Sequence, residues 1–525
     1  MIIFISSIKV ILLSIMKWKK ILLLVANYKT TGYDFYDSAF PPLALEYIAA
    51  YVEDLVDVKI LDTKAAKLNL SQTKKEIEKF QPDLVGLTVP VTSAIDTVLK
   101  YARIAKFYSA TTVIGGWHPT LAVEQTLSSP WIDILVRGEG EFTFRELIEK
   151  GSPVNIRGLS YKMNGKLIHN PDRPFFKNLD ELKLPSRHLV RKYKYKIFNM
   201  HCDAIETSRG CPQACKFCST NVVYNQTWRS RSVENIIEEL EIISKNKTIN
   251  DVFIVDDNFL VKMKRVGRLC LEIIKGKREG TIRKNLYFFF QGRLDSMARN
   301  PKIVKLMAEA GFWLVLVGVE ATDDKGLKAV AKGCNISQIK KGIEVLHENA
   351  ITAMGNVIIG TNLNDSIDDI LRTIRKTNQL SLDLPSFTLL TPFPATKFYD
   401  EIKENNLLLT EEFSEFNWLN PVIKTANLSP EILKKLLFLG FYSIGYYGGN
   451  LRNKLYLYGR AVKSRGIFYV LNPLRFYRGL SSYFKWKKIV LTNLEGLKKK
   501  EFKQIRTRNL NNMNDLKIAL ENNAG

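Results

Sequence analysis

A chain of 525 residues, 46% of them hydrophobic, has material for roughly two or three ordinary cores, which excludes wholesale disorder. Lys and Arg outnumber Asp and Glu by 77 to 53, and the resulting formal charge of +24 points to an anionic partner: nucleic acid, a membrane surface or a phosphorylated substrate. Six cysteines in so long a chain exclude a disulfide scaffold, and the clustering of three of them points to a reducing compartment.

Residues 1–19 are expected to be an extension or a misassigned start. Their apolar run is interrupted by Lys9, is too short to span a bilayer and lacks a small-residue cleavage site, whereas Met16 opens MKWKKILLLVANY as a natural first strand. From Lys20, five short apolar runs (KILLLVANY, VDVKILDTK, PDLVGLTVP, ATTVIGGWHP, DILVRGEGE) alternate with segments of helical spacing such as PLALEYIAAYVEDL and AIDTVLKYARIAKFY. This α/β alternation predicts a doubly wound, Rossmann-like parallel sheet over 20–150, with ligands at the carboxyl ends of its strands. Residues 151–200 break the rhythm and read as a linker with a small hairpin, Asn164-Gly165 supplying the turn. Over 201–400 a second series of runs (CDAIETS, DVFIVDDNF, LYFFFQGRLD, FWLVLVGVEA, TAMGNVIIGT, LPSFTLLTPF) predicts a partial TIM (β/α)6 barrel, again functional at the strand carboxyl ends. The remainder, 401–525, is expected to be mainly helical and basic: residues 441–490 carry ten Lys or Arg, no Asp or Glu, and thirteen aromatics.

The chemistry-bearing motif is RGCPQACKFCS, which spaces Cys211, Cys215 and Cys218 as C-x3-C-x2-C with no fourth cysteine close behind. Gly210 and Pro212 favour a loop over a helix. A structural zinc site normally takes four protein ligands and would need a remote partner such as His201 or Cys202; zinc knuckles usually present C-x2-C pairs instead.

Placed after the first strand of a partial barrel, this motif resembles the signature of the radical S-adenosylmethionine (SAM) enzymes. The resemblance implies a [4Fe–4S] cluster held by Cys211, Cys215 and Cys218, with the fourth iron left open for the amino and carboxylate groups of SAM. It also implies reductive cleavage of SAM to methionine and a 5′-deoxyadenosyl radical that takes hydrogen from a substrate. Phe217 matches the aromatic that precedes the third cysteine in the family. The positions expected to bind SAM are Asp256 and Asp257 (VDDNF), Gln291 and Arg293 (QGRLD), Glu320 (GVEA) and Gly360, at the ends of strands two to five. Capping and salt bridging are the structural alternative for these residues.

A doubly wound domain ahead of such a barrel resembles the cobalamin (B12)-binding class of radical SAM enzymes. The implied cobalamin-binding positions are Asp62 after strand two, Thr88 and Ser93 in GLTVPVTSA, Gly115, Gly116 and His118 in IGGWHPT, and Gly138 and Glu139 in RGEGE. His118 serves equally well as a structural turn histidine. Where cobalamin domains carry D-x-H-x-x-G, this chain reads Asp62-Thr63-Lys64-Ala65-Ala66-Lys67, so cobalamin is expected without a histidine lower ligand.

The basic, aromatic C-terminal stretch suits an interfacial contact with anionic lipid or a cap on the barrel. Nucleic acid is disfavoured because no recognised binding module is present. The resemblance thus implies modification of an unactivated C–H bond, by C-methylation or by C–C bond or ring formation. Class members act on membrane lipids (hopanoid methylases, archaeal tetraether-lipid ring synthases) or build the chlorophyll ring. A lipid or isoprenoid-like substrate, an electron-donor protein and a cytoplasmic location, peripheral on the inner face of the cell membrane, are expected. The rival readings are a tRNA-modifying radical SAM enzyme and a non-catalytic metal-binding interaction protein.

Overall fold

Ile21, Leu22, Leu23 and Leu24 are all buried, so their strand is covered on both faces, as in a parallel sheet lined by helices on either side. This strand, β1 (Lys20–Val25), lies within a sheet ordered β2 (Asp57–Asp62), β1, β3 (Leu84–Thr88), β4 (Thr111–Gly115), β5 (Ile134–Val136), with every neighbouring pair parallel. The order reverses between β1 and β3, and this is the crevice where a doubly wound sheet takes its ligand. The computed structural model describes residues 16–28, 39–197, 200–443 and 487–495. Residues 1–15 of the expected extension over 1–19, and most of the basic aromatic stretch, lie outside the described residues. The described residues divide into two compact units, one of residues 16–28, 39–196 and 222–224, the other of 197, 200–221, 225–443 and 487–495.

The expected hairpin forms, as β6 (Leu159–Met163) and β7 (Lys166–His169). Asn164 (φ 52°) and Gly165 (φ 73°) both take the left-handed conformation that a tight two-residue turn demands. The hairpin does not sit on a free linker: β6 pairs antiparallel with β5 and extends the first sheet to seven strands. Arg137 fastens it, donating from Nη1 to the Leu159 carbonyl (3.0 Å) and bonding Ser160 and the Asn170 carbonyl as well.

In the second unit, β9 (Met200–Ile205), β12 (Asp251–Ile254), β13 (Tyr287–Gly292), β14 (Phe312–Glu320), β15 (Thr352–Ile359) and β16 (Leu384–Leu389) run parallel in chain order, with β8 (Lys196–Ile197) at the edge. Strand residues alternate. Val252, Ile254, Phe288, Phe290, Val315, Val317, Val357 and Ile359 join the helices in one apolar core. Phe253, Phe289, Gln291 and Asn356 therefore lie on the opposite, inner face, where Phe253 and Phe289 stack with centroids 4.6 Å apart. The helix Met263–Glu279 forms on buried Val266, Leu269, Cys270 and Ile273 and stops at left-handed Gly280.

Part of the region expected as a separate basic C-terminal segment belongs to the barrel core. Leu433, Leu436, Leu437, Phe438 and Tyr442 of the helix Pro430–Ser443, with Val490 and Leu494, pack into it. A Cβ at Gly440 would stand 2.7 Å from the Phe387 ring. Among the described residues, no helix is long and apolar enough to cross a membrane.

Candidate functional site

The cysteine segment is an irregular loop, closed at its base by a short antiparallel ribbon of β10 (Ser208–Gly210) and β11 (Trp228–Ser230). Gly210 (φ 86°) turns the chain out of the ribbon into Cys211. Within the loop, the Cys218 N–H donates to the Cys215 carbonyl (3.2 Å) and Asn221 Nδ2 donates to the same oxygen (2.9 Å). Phe217 is half-buried between them. The loop is thus ordered by its own backbone without a helix.

Strand β12 ends on three polar side chains, and all three reach towards this loop. Asp256, fully buried, accepts from the Thr207 N–H (2.6 Å), the Thr207 hydroxyl (2.5 Å) and the Ser208 hydroxyl. Asp257 accepts from the Gly210 N–H (3.0 Å) and the Thr220 hydroxyl (3.2 Å), the residues that bracket Cys211–Cys218. Asn258 Nδ2 lies 3.6 Å from the Cys211 sulfur, and its Oδ1 accepts from the Leu260 N–H (3.3 Å). Burial pushes the Asp257 carboxyl up to about 6 against the pull of its hydrogen bonds to Gly210 and Thr220. Asp256 and Asp257, expected as SAM contacts, hydrogen-bond the stem of the thiol loop.

A second polar group sits beside Cys215. Glu320 ends β14 after a bulge, with φ 64°, and its Oε1 pairs with Lys332 Nζ at 2.9 Å; both residues are buried. A Cβ at Gly318 would stand 2.7 Å from Lys332 Nζ and closer still to Glu320, so a larger residue there would have to displace the ends of this pair. Arg293 donates from Nη2 to the Lys332 carbonyl (2.7 Å) and from Nε to Asp295 (2.9 Å). Burial alone would lower the Lys332 ammonium; Glu320 beside it outweighs that and holds it above its ordinary value. Burial raises the Cys215 thiol, while Lys332 and Arg293 pull it down. Cys218 is pushed up to about 11 by burial, with Thr220 opposing. Iron binds the thiolate form, so the two cations favour the state a cluster needs.

Lys332 and the segment around it were not anticipated from the sequence. The Lys216 N–H donates to the Val330 carbonyl (3.4 Å), and Ala331 (φ 54°) and Gly333 (φ 70°) curl the chain along the loop. The glycine signals a turn, but nothing local in AVAKGC shows what the turn abuts. Gln291 is partly exposed on the inner face, and Gly360 (φ 74°) ends β15. Among the described residues, no three His, Cys, Asp or Glu side chains converge to hold one ion. A [4Fe–4S] cluster puts each thiolate on a different iron and asks for no such convergence.

In the first unit, Thr88, Ser93, Gly115, Gly116, Gly138 and Glu139 follow β3, β4 and β5 at their carboxyl ends. Gly116 (φ 103°) serves the chain's own packing, since a Cβ would stand 2.9 Å from the Val89 carbonyl. Gly138 (φ 67°) differs: its N–H donates to Thr120 (3.1 Å), and a Cβ would meet nothing within 4 Å. Glu139 accepts from the Phe176 N–H (2.8 Å). His118 has no exposed surface; its Nε2 pairs with Gln125 (3.1 Å), and burial lowers it to about 4, which holds it neutral. Asp62 also turns inward, accepting from the Ala65 N–H (2.8 Å). The glycine-bearing loops and the open space at Gly138 fit a bulky ligand, and the loop after β2 offers it no histidine.

Two family models match the chain: the B12 binding domain over residues 36–148 and the Radical SAM superfamily over 205–375. An uncharacterised methyltransferase of Pyrococcus horikoshii is 36% identical over 437 residues, 81% of this chain and 93% of that protein. The anaerobic magnesium-protoporphyrin IX monomethyl ester cyclase of Rubrivivax gelatinosus is 26% identical over 420 residues (77% and 73%). The hopanoid C-3 methylase of Methylococcus capsulatus is 28% identical over 411 residues (75% and 75%). Among solved structures, the cobalamin-dependent SAM radical enzyme OxsB, with aqua-cobalamin and SAM bound, superimposes with a TM-score of 0.65 at 18% identity, covering 97% of this chain and 81% of that one. The chain belongs to the cobalamin-binding radical SAM family, and is an enzyme whose cofactors are a [4Fe–4S] cluster, SAM and cobalamin.

Proposed function

We propose that this enzyme C-methylates an unactivated carbon of a lipid or isoprenoid-like substrate. The observation that carries the methylation is the 36% identity to a methyltransferase across nearly that protein's whole length. The similarity to a hopanoid methylase supports the substrate class, as does the apolar, aromatic inner face of the barrel sheet around Phe253 and Phe289. Ring or C–C bond formation is the second reading, favoured by the similarity to the cyclase. Residues 20–150 form the cobalamin half in this reading and 201–400 the SAM half, with an electron-donor protein as partner and the basic C-terminal stretch against an anionic membrane on the cytoplasmic side.

When bound, the cluster would supply the electron for SAM cleavage and cobalamin the methyl carrier. The chain's own residues do the rest. Cys211, Cys215 and Cys218 hold the cluster, and Asp256 and Asp257 brace their loop. Lys332 and Arg293 favour the thiolate at Cys215. Gln291, Glu320 and Gly360, at the strand ends, are placed to orient SAM, and Gly138 leaves room for cobalamin.

Anaerobic reconstitution followed by SAM and a strong reductant tests the first step. The full chain should release 5′-deoxyadenosine, and Cys215→Ala should release none above background. No product from the wild-type chain, or equal product from the variant, overturns the assignment. With SAM carrying a deuterated methyl group, a product that gains the labelled methyl supports methylation, and one that gains no label supports ring closure.

A further inference from the structure

Side chains at the end of a barrel's second strand are placed to meet a ligand, yet in this chain all three are spent on the thiol loop. Asp257 accepts from Gly210 on one side of the loop and from Thr220 on the other, so a single carboxylate ties both ends together. Asp256, beneath it, holds Thr207 and Ser208, and Arg265 donates to the Thr207 carbonyl (2.7 Å), so the ribbon entering the loop is fixed from two directions. Asn258 is 4% exposed, and its Oδ1 is engaged by the Leu260 N–H. That bond orients the amide so that its N–H₂ end faces the Cys211 sulfur at 3.6 Å.

We propose that Asp257 and Asn258 are positioning residues for the iron–sulfur cluster: Asp257 clamps the ends of the thiol loop, and Asn258 donates a hydrogen bond to the Cys211 thiolate that raises the cluster's reduction potential. This rests on Cys211, Cys215 and Cys218 being the cluster ligands. The physical basis is the charge on sulfur. Reduction adds an electron to the cluster, thiolate sulfurs carry part of it, and an N–H aimed at one of them stabilises the reduced state more than the oxidised one. The sulfur accepts this bond in both oxidation states, so only the difference in its strength counts, and its loss should lower the reduced-to-oxidised ratio at fixed potential by up to about tenfold. For one electron this is a fall of up to about 59 mV. The clamp acts through entropy. With both ends tied, three thiols are gathered before iron arrives, and untying one end lets the loop open and release it.

The test uses the full chain, reconstituted anaerobically, with iron and sulfide counted and the midpoint potential read by titration under electron paramagnetic resonance. Asn258→Leu removes the donor at similar volume. It should hold wild-type iron and titrate at a more negative potential; wild-type iron with an unchanged potential overturns the role of Asn258. Asn258→Asp keeps the shape and puts oxygen where the donor was. If the leucine variant loads poorly, a potential in Asn258→Asp at or above wild type overturns the role. Loss of iron in both variants, with circular dichroism and melting unchanged, overturns it, because a donor that only sets the potential leaves the iron in place. Asp257→Ala removes both tethers, and should lose iron to a chelator at least fivefold faster than wild type with an unchanged melt before loading; equal rates overturn the clamp. A wild-type chain that takes up no iron, or a Cys215→Ala variant that loads like wild type, overturns the ligand assignment itself. This result is distinct from a loaded wild type with indifferent variants.

Discussion

A histidine sealed from solvent cannot take up a proton without burying a charge, and His118 is such a residue. Burial lowers it from 6.5 to about 4, with Gln125 and Asp96 opposing. The unfolded chain binds this proton near pH 6.5 and the folded chain only near 4, so the stability involved is complete above the first value and is lost as pH falls towards the second. By pH 5 the loss is about 2 kcal/mol. Asp62 runs the other way: burial raises it from 3.8 to about 6, so its contribution is present at low pH and is lost as pH rises through 6. The two offset each other in the same window, and the wild-type profile is flatter than either alone. In His118→Gln the acid-side loss should vanish. Its melting temperature should drop less between pH 7 and pH 5 than the wild type's does, by roughly 4–8 °C for a unit of this size. Parallel profiles for the two proteins would sink the argument.

Single positions in the helices and turns show which elements are held by contact and which by backbone conformation alone. In the helix Ile336–Glu348, a Cβ on Gly342 would stand 2.4 Å from the carbonyl oxygen of Leu294 in the neighbouring helix Leu294–Arg299. Backbone cannot rotate aside as a side chain can, so Gly342→Ala should cost about 2–3 kcal/mol by prising the helices apart. Gly165 in the hairpin turn is the contrast: φ is 73° and a Cβ would meet nothing within 4 Å. Gly165→Ala should therefore cost only about 1 kcal/mol, from the left-handed conformation alone. Thermal melts of the two variants measure the difference, and equal losses would contradict it. Helix starts were open to reading from local residues, because capping boxes such as Asn335 with Gln338 and Ser366 with Asp369 need only four residues in sequence. The ribbon of β10 and β11 was not, since three-residue strands carry no period and their pairing spans the whole cysteine loop.

For the molecule as a whole, the +24 charge is concentrated near the C-terminus, where residues 441–490 combine ten cations with thirteen aromatics and no acid. Anionic vesicles should float the full chain in low salt and release it in high salt, and neutral vesicles should not bind it. Changing Arg452, Lys454, Arg460 and Lys463 to Gln should weaken flotation at least tenfold, because each cation near an anionic surface is worth about 1 kcal/mol. Undiminished flotation of that variant would remove the basic stretch from the membrane contact. Substitution is the right test and truncation is not: a cut at residue 430 would strip Leu436, Leu437 and Phe438 from the barrel core and unfold what it meant to probe.

The sequence by itself determined the two α/β series, the turn at Asn164-Gly165 and the spacing of three thiols. Each is written in residues close along the chain, through hydrophobic period, turn chemistry or ligand count. Tertiary structure decided what the polar residues at the strand ends do. Asp256 and Asp257 read from the sequence as SAM contacts, with capping and salt bridging the alternative; folding set Thr207, Gly210 and Thr220 against them, 37 to 49 residues away. His118 reads evenly as site or turn residue in the sequence, and only folding shows it buried. Lys332 was invisible as a neighbour of Cys215, because only the bulge at Glu320 and the turn through Gly333 bring it there. Local pattern records which elements form; which side chains they bring together is settled by long-range packing, where burial and hydrogen-bond satisfaction decide.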